Sequence, residues 1–128
     1  SRVTHAAVKG IAPEFLGGRV PFRDDNADIF YVKDTAEAIR TIHMADSLQH
    51  TVYNVSAGYP IYNKDIEAAI RKAVPQAEIE FNDGKGPAHK EDAYMDAARL
   101  ASLGFKQKWS VDDAVADYVE WLKAGNEK

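Results

Sequence analysis

The feature that most constrains the fold is a strand-like segment followed by a helix, an order that occurs twice in the middle of the chain. Residues 29–32 are β-branched or aromatic, and Asp34 or Thr35 follows as the predicted N-cap of a helix. Residues 51–55 form a second predicted strand, after which Asn63 is the predicted cap of a helix with a complete apolar stripe. The repeated order of strand and helix predicts an α/β fold.

The remaining segments predict further helices and short strands. Apolar spacing and capping residues predict helices over 2–9 and 97–103, and a last helix that begins after Ser110. Short strands are predicted over 19–22 and 78–81. The sequence thus predicts about five helices and a few short strands, with no internal repeat and no linker that divides the chain.

Composition limits the classes of protein to which the chain can belong. With 128 residues, 45% of them hydrophobic, residues 1–128 are predicted to form one domain. The net charge of −4 argues against a nucleic-acid partner, and no apolar run is long enough to span a bilayer. Without cysteine there is no disulfide and no thiol nucleophile, which suits a reducing cytoplasm.

The spacing of the polar residues indicates neither a metal site nor an acid/base pair. No two of the four histidines have the i, i+4 spacing of a zinc site on a helix. Asp34 could act as a general base, but a carboxylate between a strand and a helix is more often an N-cap. The adjacent carboxylates Asp24 with Asp25, and Asp112 with Asp113, point in different directions and are interpreted as solvated charge. No catalytic residue and no metal ligand are therefore predicted.

Three stretches, read in order, carry a resemblance to a known family. They are residues 28–39 (DIFYVKDTAEAI), residues 52–58 (VYNVSAG), and residues 96–105 (DAARLASLGF) followed by 110–114 (SVDDA). In this order they resemble the C-terminal half of the extended short-chain dehydrogenases/reductases, which include the sugar-nucleotide epimerases and dehydratases. The resemblance covers residues 28–124.

Two long polar loops carry most of the candidate substrate-binding residues. Arg19 and Arg23 lie in the first loop, and Lys85 and His89 lie in the second. These side chains are either exposed charges or contacts to an anionic group of a substrate. Tyr31, on the predicted strand beside the cleft that the resemblance implies, is the fifth candidate, and its alternative role is to form part of the core or of the wall.

The resemblance implies both a fold and a parent activity. The chain is expected to be the truncated C-terminal, substrate-side part of a Rossmann-type α/β enzyme, with Leu103 and Trp121 as core anchors. The parent is expected to be an oxidoreductase or isomerase that uses NAD or NADP and acts on a small, sugar-type substrate. Ala27 stands where sugar-nucleotide epimerases have an arginine that grips the diphosphate. Either a loop cation substitutes for that arginine or the substrate is smaller.

The two motifs that carry the family's chemistry are absent from this sequence. Hydride transfer uses a glycine-rich strand-to-helix turn for the cofactor pyrophosphate and a Tyr-x-x-x-Lys pair. No tyrosine is followed by lysine four residues later, and neither the glycines at 17–18 nor those at 84–86 have the required spacing. The nucleotide-binding half is expected to be absent from this chain. The chain alone is therefore expected to bind no cofactor and to be inert. Segments 29–32 and 52–55, which that half would cover, are expected to favour a homodimer.

A free-standing, non-catalytic module that binds a ligand or a protein is the alternative function. Such a module would use the same scaffold without a missing half. The genomic reading frame distinguishes the two hypotheses, because an upstream Gly-x-x-Gly-x-x-Gly turn and a Tyr-x-x-x-Lys pair are expected only for the enzyme fragment.

Overall fold

The computed structural model describes residues 1–87, 89–91 and 94–126. Within these residues the chain forms five α-helices, one 3₁₀ turn and two short strands, and the two strands pair with each other. In chain order the elements are α1 (Arg2–Lys9), the 3₁₀ turn (Leu16–Gly18), β1 (Asn26–Ala27), α2 (Val32–His43), β2 (Ile61–Tyr62), α3 (Asn63–Ala73), α4 (Ala98–Ser102) and α5 (Val111–Lys123). The predicted α/β class, with about five helices and few strands, is confirmed.

The chain divides into two compact units, which are described separately. The first unit comprises Ser1–Asp25, Tyr62–His89 and the chain from Ser110 onwards. The second unit comprises Asn26–Ile61 and Lys90–Trp109.

The first unit is built around its C-terminal helix, because α5 packs against both α3 and α1. Ser110 caps α5 as predicted, since its hydroxyl oxygen accepts the backbone N–H of Asp113 at 3.1 Å. Ile70 and Val119 are almost completely buried where these helices meet. The buried cluster of this unit consists of Ala7, Ile70, Val74, Ala77, Ile79, Phe81 and Val119.

The second unit is held together by a buried carboxylate as well as by apolar residues. Asp34 is 1% exposed, and its two oxygens accept the backbone N–H groups of Lys108 and Trp109 at 3.0 and 3.2 Å. The prediction that Asp34 or Thr35 caps α2 is wrong. Tyr31 has the extended N-cap conformation, and its carbonyl accepts the first backbone bond from Thr35, so Asp34 falls inside the first turn.

The four strands predicted from apolar runs do not form as predicted. Residues 29–32 lead directly into α2, and residues 52–55 make no backbone-to-backbone hydrogen bond within the described part of the chain. Of the segments 19–22 and 78–81, only Phe22 forms a bridge, which is parallel and isolated, to Asn82. A strand needs a neighbouring strand to complete its hydrogen bonds, and apolar composition alone does not supply one.

Apolar side chains of the second unit are exposed where the sequence predicts a surface without its partner. Ile29 is 42% exposed and Val52 is 61% exposed.

Trp121, in the first unit, is 49% exposed and stacks on Tyr118, so the prediction that it anchors the core is wrong. Val119, two positions earlier, occupies the buried face of α5 instead. No helix in the described residues is long and apolar enough to cross a membrane.

Candidate functional site

The candidate site is a pair of loops in the first unit, residues 19–25 and 82–89, that lie side by side. The backbone N–H of Asn82 donates to the carbonyl of Pro21 at 2.9 Å, and its own carbonyl accepts the N–H of Arg23 at 2.9 Å. The Asn82 side chain adds a bond to the Val20 carbonyl at 3.2 Å. The fold therefore brings together the two loops that the sequence identifies as polar.

Arg23, a predicted substrate contact, is held by carboxylates of the protein itself. Its guanidinium donates from Nε and Nη2 to the two oxygens of Glu67 at 2.9 and 3.2 Å. Its Nη1 donates to Asp83 at 2.6 Å. Fork-like pairing of this kind satisfies most of the guanidinium N–H groups and fixes their direction. In this arrangement Arg23 holds the second loop against α3.

Glu67 is the buried partner of this network. Its side chain is 6% exposed and also accepts Arg71 Nη2 at 3.0 Å, while the same nitrogen contacts the Ile79 carbonyl. The hydrogen bond from Arg23 holds the pKa of Glu67 below its ordinary value, although burial acts in the opposite direction. The carboxylate is therefore ionised at neutral pH, and its ionised form favours the folded state more than its protonated form does.

We expect Glu67→Gln to lower the free energy of unfolding by about 1 kcal/mol at pH 7, because Arg23 and Arg71 lose their charged acceptor. A lowered pKa in the folded state means that the contribution of Glu67 is complete above its ordinary value of 4.5. This contribution is lost as the pH falls through the lowered value. Urea unfolding of both proteins between pH 7 and pH 3 should therefore show the difference shrinking on acidification.

The exposed residue Glu120, which contacts Lys123 at 2.9 Å, provides the matched control. Glu120→Gln should change the free energy of unfolding by less than about 0.5 kcal/mol, since exposed ion pairs contribute little. A loss in Glu67→Gln that stays constant down to pH 3, or that equals the loss in the control, would contradict the assignment.

His89 lies beside a carboxylate at the other end of the loop pair. Its Nδ1 is 3.1 Å from Asp25 Oδ1, and its side chain is only 9% exposed. The same oxygen accepts the backbone N–H of Gly86 at 2.9 Å. Asp25 thus holds the second loop through two contacts, and its interpretation as solvated charge is wrong. Asp24 is engaged as well, because its carboxylate accepts Lys64 Nζ at 2.9 Å.

The structure brings four of the five candidate side chains into one loop pair. Arg19 and Lys85 are exposed on it, and Arg23 and His89 are fixed by carboxylates as described. Tyr31 belongs to the second unit, where its ring packs against Trp109 with centroids 5.1 Å apart. Contact of any of the five with a substrate stays a prediction.

Sequence reasoning missed the acidic residues that position these loops. Glu67 lies within the α3 pattern, and nothing in its spacing distinguishes a buried carboxylate from a solvated one. Asp28 was also missed: it accepts the Ser56 hydroxyl at 2.8 Å and the Met95 N–H at 2.9 Å, and so connects three segments of the second unit.

The described residues do not build a site for a metal or for a nucleotide pyrophosphate. No three histidine, aspartate or glutamate side chains among them gather as ligands. Pyrophosphate binding in Rossmann-type folds uses a glycine-rich turn directly before a helix. The five α-helices instead begin after Ser1, Tyr31, Tyr62, Ala97 and Ser110. Among the described residues, no α-helix therefore begins directly after such a turn.

Solved structures with the same fold are known, although no protein-family model matches the sequence and no curated protein is significantly similar to it. The chain matches the Bordetella bronchiseptica enzyme WbmF, solved in complex with NADH, with a TM-score of 0.76 and 21% identity. The match includes 96% of this chain and 35% of WbmF.

Two threonine dehydrogenase structures match over similar shares. A partial consensus L-threonine 3-dehydrogenase gives a TM-score of 0.70 at 25% identity, over 95% of this chain and 40% of that one. The GalE-like L-threonine dehydrogenase from Cupriavidus necator, in its holo form, gives 0.66 at 22% identity, over 91% of this chain and 39% of that one. The chain thus spans 35 to 40% of the length of these proteins. It has the fold of part of an extended short-chain dehydrogenase/reductase, as the resemblance predicts.

Proposed function

We propose that the chain is the C-terminal, substrate-side part of an NAD(P)-dependent epimerase, dehydratase or dehydrogenase, and that it is inert alone. The observation that carries the proposal is the near-complete match of this chain to little more than a third of each similar structure. WbmF has been solved with NADH, with NAD+, and with NAD+ and UDP. A chain of this fold without a cofactor site of its own would depend on a further part for the chemistry.

The roles of the two parts of the parent enzyme follow from the motifs that this sequence lacks. The parent's other part would supply the glycine-rich turn and the Tyr-x-x-x-Lys pair, and with them the bound cofactor and the proton-transfer group. This chain would supply the loop pair 19–25 and 82–89 as one wall of the substrate site. The absence of cysteine supports a reducing compartment such as the cytoplasm.

Within that wall the candidate residues have different roles. Arg19 and Lys85 would contact a polar or anionic group of the substrate, because both are exposed on the loop pair. Arg23 would act as a positioning residue, since Glu67 and Asp83 already bind its guanidinium. His89, which is only 9% exposed and is held by Asp25, would likewise position the second loop. Tyr31 lies in the second unit and is not part of this wall, and its contact with a substrate stays a prediction.

We expect the isolated chain not to bind NAD or NADH with micromolar affinity, because no helix begins after a glycine-rich turn that could hold the pyrophosphate. Isothermal titration of the 128-residue chain with each dinucleotide measures this directly. WbmF under the same conditions is the positive control, since its complexes with both forms are known.

Saturable, stoichiometric binding of NAD to the isolated chain would overturn the proposal. The reading frame around the coding sequence gives an independent check. We expect it to encode, upstream of these residues, a strand and helix joined by Gly-x-x-Gly-x-x-Gly and a later Tyr-x-x-x-Lys. If the reading frame encodes neither motif, the free-standing binding module is supported instead.

A further inference from the structure

A pocket in the second unit has a different charge from the chain as a whole. It lies between the last turns of α2 and the loop that follows α4, and its volume is about 440 Å³. Arg40, Lys106 and Lys108 line it together with a single carboxylate, Glu37. Three cations against one anion give this pocket a local charge of +2, whereas the chain carries a net charge of −4. A cationic pocket on an acidic protein concentrates anions locally.

Glu37 positions the cations and does not neutralise all of them. Its oxygens accept Arg40 Nε at 2.9 Å and Arg40 Nη2 at 2.7 Å, and one of them lies 3.9 Å from Lys108 Nζ. The opposite edge of the Arg40 guanidinium contacts no acceptor in the described residues. Lys106 makes no ion pair within those residues either. Lys106 and the outer edge of Arg40 are therefore available to a ligand without breaking an existing pair. Lys108 is available as well, because its only ion pair within the described residues is the long contact of 3.9 Å.

The rest of the pocket selects the shape of the ligand. Met44, Leu103 and Phe105 supply apolar surface beside the charges. The backbone N–H groups of Phe105 and Lys106 donate to no acceptor in the described part of the chain. Cations and free N–H groups next to apolar surface match an anion that carries an apolar substituent.

The helix ends beside the pocket do not help to bind an anion. α2 ends at His43 and α4 ends at Ser102, and the carbonyl groups at the C-terminus of a helix carry partial negative charge. An anion in this pocket would therefore be held by the side-chain cations and not by a helix dipole. Affinity should fall sharply when the lysines are removed and when salt screens them.

We propose that this pocket binds a phosphate monoester with a small aromatic or apolar group, independently of the candidate substrate site. The charge of +2 matches the dianion of such an ester, and the volume lies within the usual range for small-molecule sites. Phenyl phosphate is the probe, because its ring can contact Met44 and Phe105 while its phosphate faces Lys106 and Lys108. Inorganic phosphate, which has no ring, should bind at least fivefold more weakly.

Isothermal titration of the 128-residue chain at low ionic strength tests the proposal. We expect saturable binding of phenyl phosphate, weakened at least tenfold by the double variant Lys106→Ala/Lys108→Ala and several-fold by Lys106→Ala alone. The control Lys9→Ala/Lys123→Ala removes the same charge from the first unit and should change the affinity less than twofold. Far-ultraviolet circular dichroism confirms that each variant is folded.

Three results would overturn the proposal. They are the absence of saturable binding by the unmodified chain at millimolar phenyl phosphate, equal weakening in the control, and unchanged affinity in Lys106→Ala. Equal affinity for inorganic phosphate would show that the pocket takes a free phosphate and not an ester. Repeating the dinucleotide titration with Lys106→Ala/Lys108→Ala distinguishes NAD bound at this pocket from NAD bound elsewhere. The failure of this proposal and the failure of the proposed function are therefore distinguishable.

Discussion

Asp34→Ala should lower the free energy of unfolding by about 3 kcal/mol, the largest loss expected from a single polar side chain in this protein. The carboxylate is almost completely buried and accepts two backbone N–H groups, those of Lys108 and Trp109. Removing it leaves both donors without their acceptor, and each loss costs about 1 to 3 kcal/mol when water cannot replace the bond. Urea unfolding measured by circular dichroism gives the difference.

Two variants separate the loss of these bonds from the loss of charge. Asp34→Asn keeps one acceptor oxygen and should recover part of the stability. Asp112→Ala removes an exposed carboxylate that pairs with Lys72 and should cost less than about 0.5 kcal/mol. If Asp34→Ala is no less stable than Asp112→Ala, the buried carboxylate does not hold the loop.

Asp34 also holds the loop that carries two lysines of the cationic pocket. Lys106 and Lys108 lie on the loop whose backbone Asp34 holds. Asp34→Ala should therefore weaken phenyl phosphate binding even though Asp34 does not line the pocket. Titration of Asp34→Ala with phenyl phosphate therefore shows whether loss of stability in the second unit also displaces Lys106 and Lys108.

Helices in this protein could be predicted because their signals are local. The predicted helix over 2–9 is observed as α1, and Gly10 ends it with a positive φ of 67°. Ser110 caps α5 through the Asp113 N–H, as its sequence spacing predicts. Both signals lie within four residues of the helix end that they define, so the rest of the fold is not needed to read them.

Strands and buried charges could not be predicted because they depend on distant residues. Segment 52–55 has the composition of a strand, but pairing requires a neighbour that the described residues do not provide. The local sequence indicates an N-cap at Asp34. The loop that buries this carboxylate lies more than 70 positions away in sequence and leaves no local signal. Arg23 was identified as a site residue, but its partner Glu67 comes from a different element. Single-sequence patterns contain no information on such pairs.

The loop pair itself can be tested at Gly86, where we expect substitution by alanine to cost about 2 kcal/mol. A Cβ atom at this position would lie 2.7 Å from Asp25 Oδ2 and 2.8 Å from Phe22 Cδ2, closer than side-chain packing allows. Asp25 cannot easily move away, because its other oxygen is bound by the Gly86 N–H and lies beside the His89 ring. The two loops would have to separate to accommodate the methyl group.

A double-mutant cycle isolates this contact from other effects of the substitution. Gly86→Ala is introduced into the unmodified chain and into Asp25→Ala, in which the nearest obstructing atom is gone, and urea unfolding is measured for all four proteins. We expect the cost of Gly86→Ala to fall by at least 1 kcal/mol in the Asp25→Ala background, because neighbouring sites couple through shared space. The nuclear magnetic resonance signals of the His89 ring should shift in Gly86→Ala as the loops separate. An equal cost in both backgrounds, with an unchanged His89 signal, would mean that Asp25 and Gly86 do not hold these loops together.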